Sequence, residues 1–268
     1  METDNRLMIS NLQKLDHFYS LMSRATNLPY TECDAETFDD QIFIFTEEAD
    51  ANAMAEKLNA DRYPVTVANF DRVKMQALYT GLYLTGVNRV AFHNGSGLCY
   101  LPLASIVTIK KPEQKPGMAP VMNDSLQMTA VYFLQELRRP DVENSPERTS
   151  KLRELEQELI ANLLRSRFIV ALDTTDVKGT PDLSKPNPDL KLPFLKNQSG
   201  DTMQPIFSDL WEFEKFRVKN PRKLQPLALP FQKLIPSLIQ DIRGYVLNPM
   251  GFNLMLPKDR VEALIKQS

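Results

Sequence analysis

Hydrophobic and polar positions recur in the same order twice along the chain. In the front half the apolar run 42–45 meets Thr46 and a segment with helical spacing; in the back half the apolar run 205–207 meets Ser208 and a similar segment. Short apolar runs bounded by polar residues are typical of buried strands. A fixed order of elements at a long period favours two copies of one supersecondary unit.

The later elements of the two copies correspond as well. The matched pairs are 63–67 with Phe70 and 226–229 with Phe231, then 90–94 and 245–248, and last the Leu-Pro steps 101–102 and 256–257. Each Leu-Pro step opens a short apolar segment, where proline suits the first turn of a helix. The pattern predicts an α+β fold made of two related units, each a small mixed sheet covered by helices.

Three local predictions complete the first copy. Apolar residues recur at helical spacing from Leu7 to Met22, which predicts an amphipathic helix over 7–25 that carries His17. Thr46 is predicted to cap the helix that follows it. The acidic segment 31–40 lacks apolar periodicity and is predicted to be a solvated connector.

Proline-containing steps between 108 and 124 predict the boundary between the copies. The predicted division is a first domain over 1–110, a linker over 111–124 and a second domain over 125–268. The second domain is expected to open with helices over 125–138 and 146–165, and leucines in the latter are expected to face the second unit. A strand over 168–172 and a hairpin around 198–201 should follow.

The composition is that of an ordinary globular protein, with 43% hydrophobic residues and a net charge of −2. The chain contains no uninterrupted apolar stretch near the roughly 20 residues that a membrane helix needs, so no spanning segment is expected. Acidic residues stand near Met1 where a secretory signal would be basic, which predicts a cytoplasmic protein. Cys33 and Cys99 are expected to be reduced thiols.

The scarce reactive residues do not form a catalytic or metal-binding pattern. His17, His93, Cys33 and Cys99 lack ligand spacing. Ser96 lies in Gly-Ser-Gly, which lacks the glycine spacing and strand-to-helix turn of a nucleophile elbow. Cys99 is expected to be a packed, inert thiol. We therefore predict no catalytic residue, no cofactor and no metal.

Five basic residues between 215 and 223 form a possible phosphate-binding run. The interpretation preferred here is a solvated loop, because the chain shows no recognised nucleic-acid module and has no net positive charge. If the run has a role, the acidic segment 31–40 is one candidate partner within the chain. Nucleic acid is therefore not the expected partner.

The second copy resembles a known family. The strand–turn–helix 206–216, preceded by Gly200-Asp201, is similar to an element of the SseB N-terminal domain, and 245–249 with Gly251 and 256–259 is similar to that family's asparagine-proline turn and closing helix. The resemblance covers about 168–267, and the first unit resembles a degenerate second copy that keeps Phe45-Thr46 and Asn94. It implies a cytoplasmic bacterial protein without recognised catalytic residues, whose biochemical role is not established.

The sequence also offers a candidate interaction surface. Its residues are Trp211, Asn248, Pro249, Met250 and Phe252. Phe213 and Phe216 are expected to face the sheet and leave Trp211 partly covered, or else Trp211 is an interface anchor. The 248–252 turn either serves the backbone alone or presents Met250 and Phe252 to a partner.

The function that follows is a non-catalytic binding or adaptor protein. It would recognise another protein through loops or exposed strand edges, and a homo-oligomer is possible. The alternative is a small-molecule sensor or enzyme with a site between the two units, where clefts commonly bind ligands.

Overall fold

The computed structural model describes residues 2–95, 97–107, 121–177, 189–197, 199–235 and 242–267. They form two compact units. The first contains residues 1–113 and 127–156, and the second contains 114–126 and 157–268. In the described ranges no helix is both long enough and apolar enough to cross a membrane.

A six-stranded mixed sheet forms the centre of the first unit. Its strands are β1 (His17–Ser23), β2 (Glu32–Cys33), β3 (Asp40–Phe45), β4 (Val65–Asp71), β5 (Arg89–His93) and β6 (Leu98–Pro102). The order is β4-β1-β3-β5-β6, and β2 pairs with β3. Only the β3–β5 pair is parallel among these described pairings. The predicted α+β class is confirmed.

Helices cover both faces of this sheet. They are α1 (Glu2–Lys14), α2 (Glu48–Ala60), α3 (Arg72–Thr85), α4 (Leu103–Ile106) and α5 (Asp124–Leu137). Side chains of β3 alternate between two apolar clusters: Ile42 and Ile44 pack with α1, α3 and α4, whereas Phe43 and Phe45 pack with α2. A strand buried on both faces reads as one continuous apolar run, which explains the pattern at 42–45.

The prediction of one helix over 7–25 is wrong. Helix α1 ends at Lys14, and the later part of the segment, from His17 to Ser23, forms strand β1. His17 therefore lies on a strand. Seven residues of β1 pair with β4, from His17 opposite Asp71 to Ser23 opposite Val65. Helical spacing alone could not reveal this pairing, because tertiary contacts override local periodicity.

Thr46 does not cap helix α2. The helix begins at Glu48, and Glu47 occupies the N-cap position without a side-chain hydrogen bond. The Thr46 amide instead donates to the His93 carbonyl at the end of the parallel strand β5. The prediction failed because the chain stays extended for one residue beyond Thr46.

The acidic segment 31–40 is organised around one arginine. Arg89 forms ion pairs with Asp34 at 2.7 Å and with Asp39 at 2.9 Å, and it donates to the Gln41 side chain. Arg89 is buried, and its guanidinium lies 4.4 Å from the Tyr100 ring centre. The segment is therefore held to the sheet and is not the solvated connector that its composition predicts.

Helix α5 packs mainly on the first unit. Gln135 donates to the Thr31 carbonyl at 2.8 Å, Met128 lies in the α1 and α3 cluster, and the Tyr132 hydroxyl donates to Asp40. Helix α6 (Pro146–Arg165) has the predicted bounds and contributes residues to both units. The predicted division assigned 127–156 to the wrong unit. Of the predicted linker over 111–124, residues 111–120 lie outside the described residues, and α5 begins at Asp124.

The sheet of the second unit has the same strand order. Its strands are β7 (Arg167–Asp173), β8 (Leu195–Lys196), β9 (Thr202–Phe207), β10 (Leu224–Pro230), β11 (Gly244–Leu247) and β12 (Leu254–Pro257). The order is β10-β7-β9-β11-β12, β8 pairs with β9, and β9–β11 is parallel. The predicted strand over 168–172 and the hairpin after it are present. Pro226 and Pro230 lie on β10, which ends the described sheet on one side.

Strand register changes two of the predicted equivalences. Phe92 lies opposite Ile44, and Leu247 lies opposite Ile206, so Asn248 occupies the position of His93 and not that of Asn94. By the same comparison Phe70 corresponds to Leu229, two positions before Phe231. Phe231 still contacts Phe168, as Phe70 contacts Phe18, with ring centres 6.1 and 5.6 Å apart.

Helix α7 (Leu210–Arg217) covers one face of the second sheet, and α8 (Lys258–Gln267) closes the chain. Phe213 and Phe216 are buried against Phe207, with ring centres 5.6 and 5.3 Å apart, as predicted. A 3₁₀ helix over Phe231–Lys233 follows β10 where the first unit has the 14-residue α3.

Candidate functional site

Asn248 joins two turns at one end of the second sheet. Its Oδ1 accepts the Ser208 amide N–H at 2.9 Å, and its Nδ2 donates to Ser208 Oγ at 2.8 Å. Both residues are fully buried. Asn248 has a φ of +50°, a left-handed conformation that asparagine tolerates better than most residues.

Asp209 extends this network to the start of α7. Its Oδ1 accepts the Glu212 amide N–H at 2.9 Å, which makes it the N-cap, and its Oδ2 accepts the Ser208 hydroxyl at 2.8 Å. A capping carboxylate satisfies amide groups that the helix itself cannot pair. Hydrogen bonds therefore connect the first turn of α7, through Asp209 and Ser208, to the turn that carries Asn248.

Glu212 completes the network. Only 4% of it is exposed, Lys215 donates to its Oε1, and its Oε2 has no hydrogen-bond partner among the described residues. Gly251 lies beside that oxygen. Burial raises the pKa of Glu212, and the nearby Lys215 charge only partly opposes the rise. We call Ser208, Asp209, Glu212, Asn248 and Gly251 the Asn248 clamp.

The clamp positions backbone and does not have the features of an active site. Ser208 Oγ is fully buried, donates to Asp209 and accepts from Asn248, so it has no free approach for a substrate. Within the described ranges no group of three or more His, Cys, Asp or Glu side chains is arranged to hold a metal ion. What the clamp can do chemically is fix the 248–251 turn against α7.

The structure divides the predicted interaction surface. Asn248 and Phe252 are fully buried, so they cannot contact a partner directly, and their part of the prediction is corrected. Trp211 and Pro249 are half-buried, and Met250 is 37% exposed. Asn248 turned inward because its amide pairs with Ser208, a contact that a turn-forming asparagine does not reveal in sequence.

Two apolar residues that sequence reasoning missed lie on the same side of the sheet. Leu210, in the first turn of α7, is 48% exposed, and Met255 on β12 is 46% exposed. Met255 pairs with Val246, which pairs with Pro205, and Phe207 two positions along β9 packs under α7. Side chains at paired positions share a face, so Met255 points to the α7 side. The available signal in the sequence was the short strand at 254–256, in which alternate side chains point to opposite faces of the sheet.

We call this group the α7 surface. It consists of Leu210, Trp211, Pro249, Met250 and Met255. The clamp holds its α7 part and its 248–251 part together, because Asn248 bonds to Ser208 and Gly251 lies against Glu212. The α7 surface is therefore supported by fixed backbone.

The basic run is largely neutralised within the second unit. Lys215 pairs with Glu212, Arg217 with Glu214 at 2.6 Å, and Arg222 with Asp173 at 2.7 Å. The acidic segment 31–40, the candidate partner within the chain, pairs with Arg89 instead, through Asp34 and Asp39. These ion pairs leave less positive charge for phosphate binding than the sequence suggests.

The remaining reactive residues lie apart. His93 stacks on Phe45 with ring centres 4.6 Å apart, and burial lowers its pKa. Cys99 is half-buried on β6, and burial raises the pKa of its thiol, in line with a packed thiol. Ser96 lies outside the described residues.

Residues 149–263 match the family described as SseB protein N-terminal domain, which confirms the resemblance of the second half. No curated protein matches the chain significantly. The second unit, with its Asn248 clamp, is thus similar to that domain.

Two solved structures align over nearly the whole chain. Tic22 from Plasmodium falciparum is 11% identical, with 97% of this chain and 96% of that chain covered and a TM-score of 0.22. Anabaena Tic22 (protein transport) is 10% identical, with 98% and 96% covered and the same TM-score. Superpositions at that score support no conclusion about this chain.

Proposed function

We propose that the protein is a non-catalytic binding or adaptor protein that recognises another protein through the α7 surface. The observation that carries the proposal is the exposure of Leu210, Met250 and Met255, at 48%, 37% and 46%. The clamp fixes the segments that carry Leu210 and Met250, and strand pairing fixes Met255. Grouped apolar exposure marks interaction sites more often than scattered single residues do.

The clamp explains why this surface suits recognition. Binding costs less free energy when the backbone of the contact residues is already ordered. The flexible methionine side chains can then adapt to a partner on a rigid base. The half-buried Trp211 would supply the large aromatic contact area that often dominates binding free energy.

We place the proposed activity in the bacterial cytoplasm. The similarity of 149–263 to the SseB domain supports a bacterial source. The two free cysteines are consistent with a reducing compartment such as the cytoplasm. The proposed partner is a protein with an exposed apolar segment. A second copy of this chain is one possible form of that partner.

Affinity capture with crosslinking from the native host tests the proposal. The test variant is Leu210→Ser/Met250→Ser/Met255→Ser, and the matched control is Phe194→Ser/Val218→Ser, which changes side chains of 57% and 70% exposure elsewhere in the second unit. We expect a stoichiometric protein partner with the wild type and the control, and its loss with the test variant.

Two further measurements make the result interpretable. Circular dichroism and Trp211 fluorescence must show that both variants keep their fold. Light scattering of the purified protein shows whether the partner is a second copy, because dimer formation should then depend on concentration and disappear in the test variant. Retention of the same partner by a folded test variant contradicts the proposal.

A further inference from the structure

The first unit contains a cavity of about 700 Å³ between α1, α3 and the end of α4. This volume lies within the range of small-molecule sites, roughly 300 to 1,000 Å³. The cavity is built only from described residues of one unit, and nothing in the proposed adaptor function uses it. Its lining mixes apolar side chains with a few polar ones.

Apolar side chains form the larger part of the lining. Leu12 of α1, Met75 of α3 and Ile106 of α4 all border the cavity and are buried in the core of the first unit. These residues offer contact to a hydrocarbon chain. They offer no hydrogen bonds, so polar recognition has to come from other residues.

Tyr79 supplies one polar point. It is 8% exposed, its ring packs on Phe18 with ring centres 6.2 Å apart, and it lines the cavity. Its hydroxyl makes no hydrogen bond with any described residue, and desolvation alone raises its pKa. The hydroxyl is therefore available to donate a hydrogen bond to a ligand acceptor in a largely desolvated setting.

Arg72 supplies a second, cationic point at the other end. It is the first residue of α3, and its Nε lies 3.2 Å from Asp16 Oδ1 in a pair whose side chains are 66% and 87% exposed. Exposed pairs contribute little and exchange readily. Seven residues separate Arg72 from Tyr79, so the two lie on one helix face about 10 Å apart along the axis.

We propose that this cavity binds a small amphipathic carboxylate, with its anionic group at Arg72, its apolar body on Leu12, Met75 and Ile106, and an oxygen at its far end accepting from Tyr79. The two polar points and the distance between them define the ligand class: a medium-length hydrocarbon chain with a carboxylate at one end and a hydrogen-bond acceptor at the other.

Two probes separate the two polar contacts. Octanoate and 8-hydroxyoctanoate share the carboxylate and the apolar chain, and only the second has an oxygen at its far end. We expect both to bind the full-length protein in an NMR titration, and 8-hydroxyoctanoate to bind about tenfold more tightly, which corresponds to one additional hydrogen bond in a desolvated site.

The variants assign each contact. Tyr79→Phe should abolish the preference for 8-hydroxyoctanoate and leave octanoate binding unchanged, whereas Arg72→Gln should weaken both probes about tenfold. Tyr83→Phe is the matched control on the same helix, because Tyr83 does not line the cavity, and it should change neither affinity. All three variants should still retain the protein partner of the α7 surface.

A photoreactive octanoate analogue tests the location independently of folding of the variants. Labelled peptides from α1 and α3 of the wild type support the proposal. Labelling confined to other segments overturns it, as do absence of binding by both probes, equal affinity for the two probes, or a preference that survives in Tyr79→Phe.

Discussion

Gly251 lies directly against the Glu212 carboxylate: a β-carbon at Gly251 would stand 3.0 Å from Glu212 Oε2 and 3.4 Å from Cδ. Few real β-carbons approach a neighbour so closely. The close approach of the 248–251 turn to α7 therefore favours glycine at this position, because the Glu212 carboxyl occupies the space beside it.

Gly251→Ala should destabilise the second unit by about 1 kcal/mol, because overpacking forces Glu212 or the turn to move. Urea unfolding followed by fluorescence of Trp211, the chain's one tryptophan, measures this. Gly81→Ala is the control, followed by circular dichroism because Trp211 lies in the other unit: a β-carbon there meets nothing within 4 Å, and in helix α3 it should stabilise the first unit by about 0.5 to 1 kcal/mol. A neutral Gly251→Ala would show that the turn can withdraw from α7.

Asn248→Ala should cost about 2 to 4 kcal/mol, since it leaves the buried Ser208 amide without its acceptor and removes the donor to the Ser208 hydroxyl, which keeps only its bond to Asp209. Part of the loss is backbone strain at φ +50°. Asn253→Ala is the comparison, because Asn253 also has a left-handed φ, +52°, and is exposed, and it should cost less, about 1 kcal/mol. Equal losses in the two variants would mean that the amide bonds of Asn248 add nothing.

The raised pKa of Glu212 predicts a pH dependence. The folded state holds the proton at higher pH than the unfolded state does, so the contribution of Glu212 to stability is greatest below pH 4.5 and falls as pH rises through the folded pKa. Relative to Glu212→Gln, which cannot ionise, the wild type should gain stability as pH is lowered from 7 to 4.5.

Glu214→Gln is the control for that series, because Glu214 lies on the same helix with an exposed side chain paired to Arg217. Denaturant midpoints from Trp211 fluorescence at several pH values give the comparison. A constant difference between the wild type and Glu212→Gln across this range would contradict the assignment.

Phe207→Ala should cost about 3 to 5 kcal/mol. Phe207 is fully buried and contacts both Phe213 and Phe216, so its removal leaves a cavity under α7. Phe194→Ala removes the same group at a position that is 57% exposed and should stay within about 0.5 kcal/mol of wild type. A small effect at Phe207 would show that α7 can collapse onto the sheet without it.

Much of the fold could be predicted where local signals and burial agree. Helix α6 has its predicted bounds because Pro146 suits the first helical position and regular leucine spacing follows. Strand β1 was missed because the spacing of Leu15, Phe18 and Met22 also fits a helix, and only pairing with β4 decides between them. Helix α5 was assigned to the wrong unit because an apolar helix face shows that the helix is buried but not which of the two cores it packs on.

The candidate site was predicted in part for a similar reason. Trp211 and Met250 stand out as large apolar residues in short polar segments, and both remain accessible. The inward orientation of Asn248 depends on a hydrogen bond to Ser208, forty residues away in sequence. The exposure of Met255 depends on strand register, which a single sequence does not define.

The two prolines on β10 limit how this protein can associate. Proline cannot donate a backbone hydrogen bond, so Pro226 and Pro230 interrupt the row of donors that an incoming strand would need. Growth of the second sheet by edge-to-edge polymerisation is blocked at that border. Recognition at that edge must rely on side chains, so β10 offers no continuous row of backbone donors as a template for fibril growth.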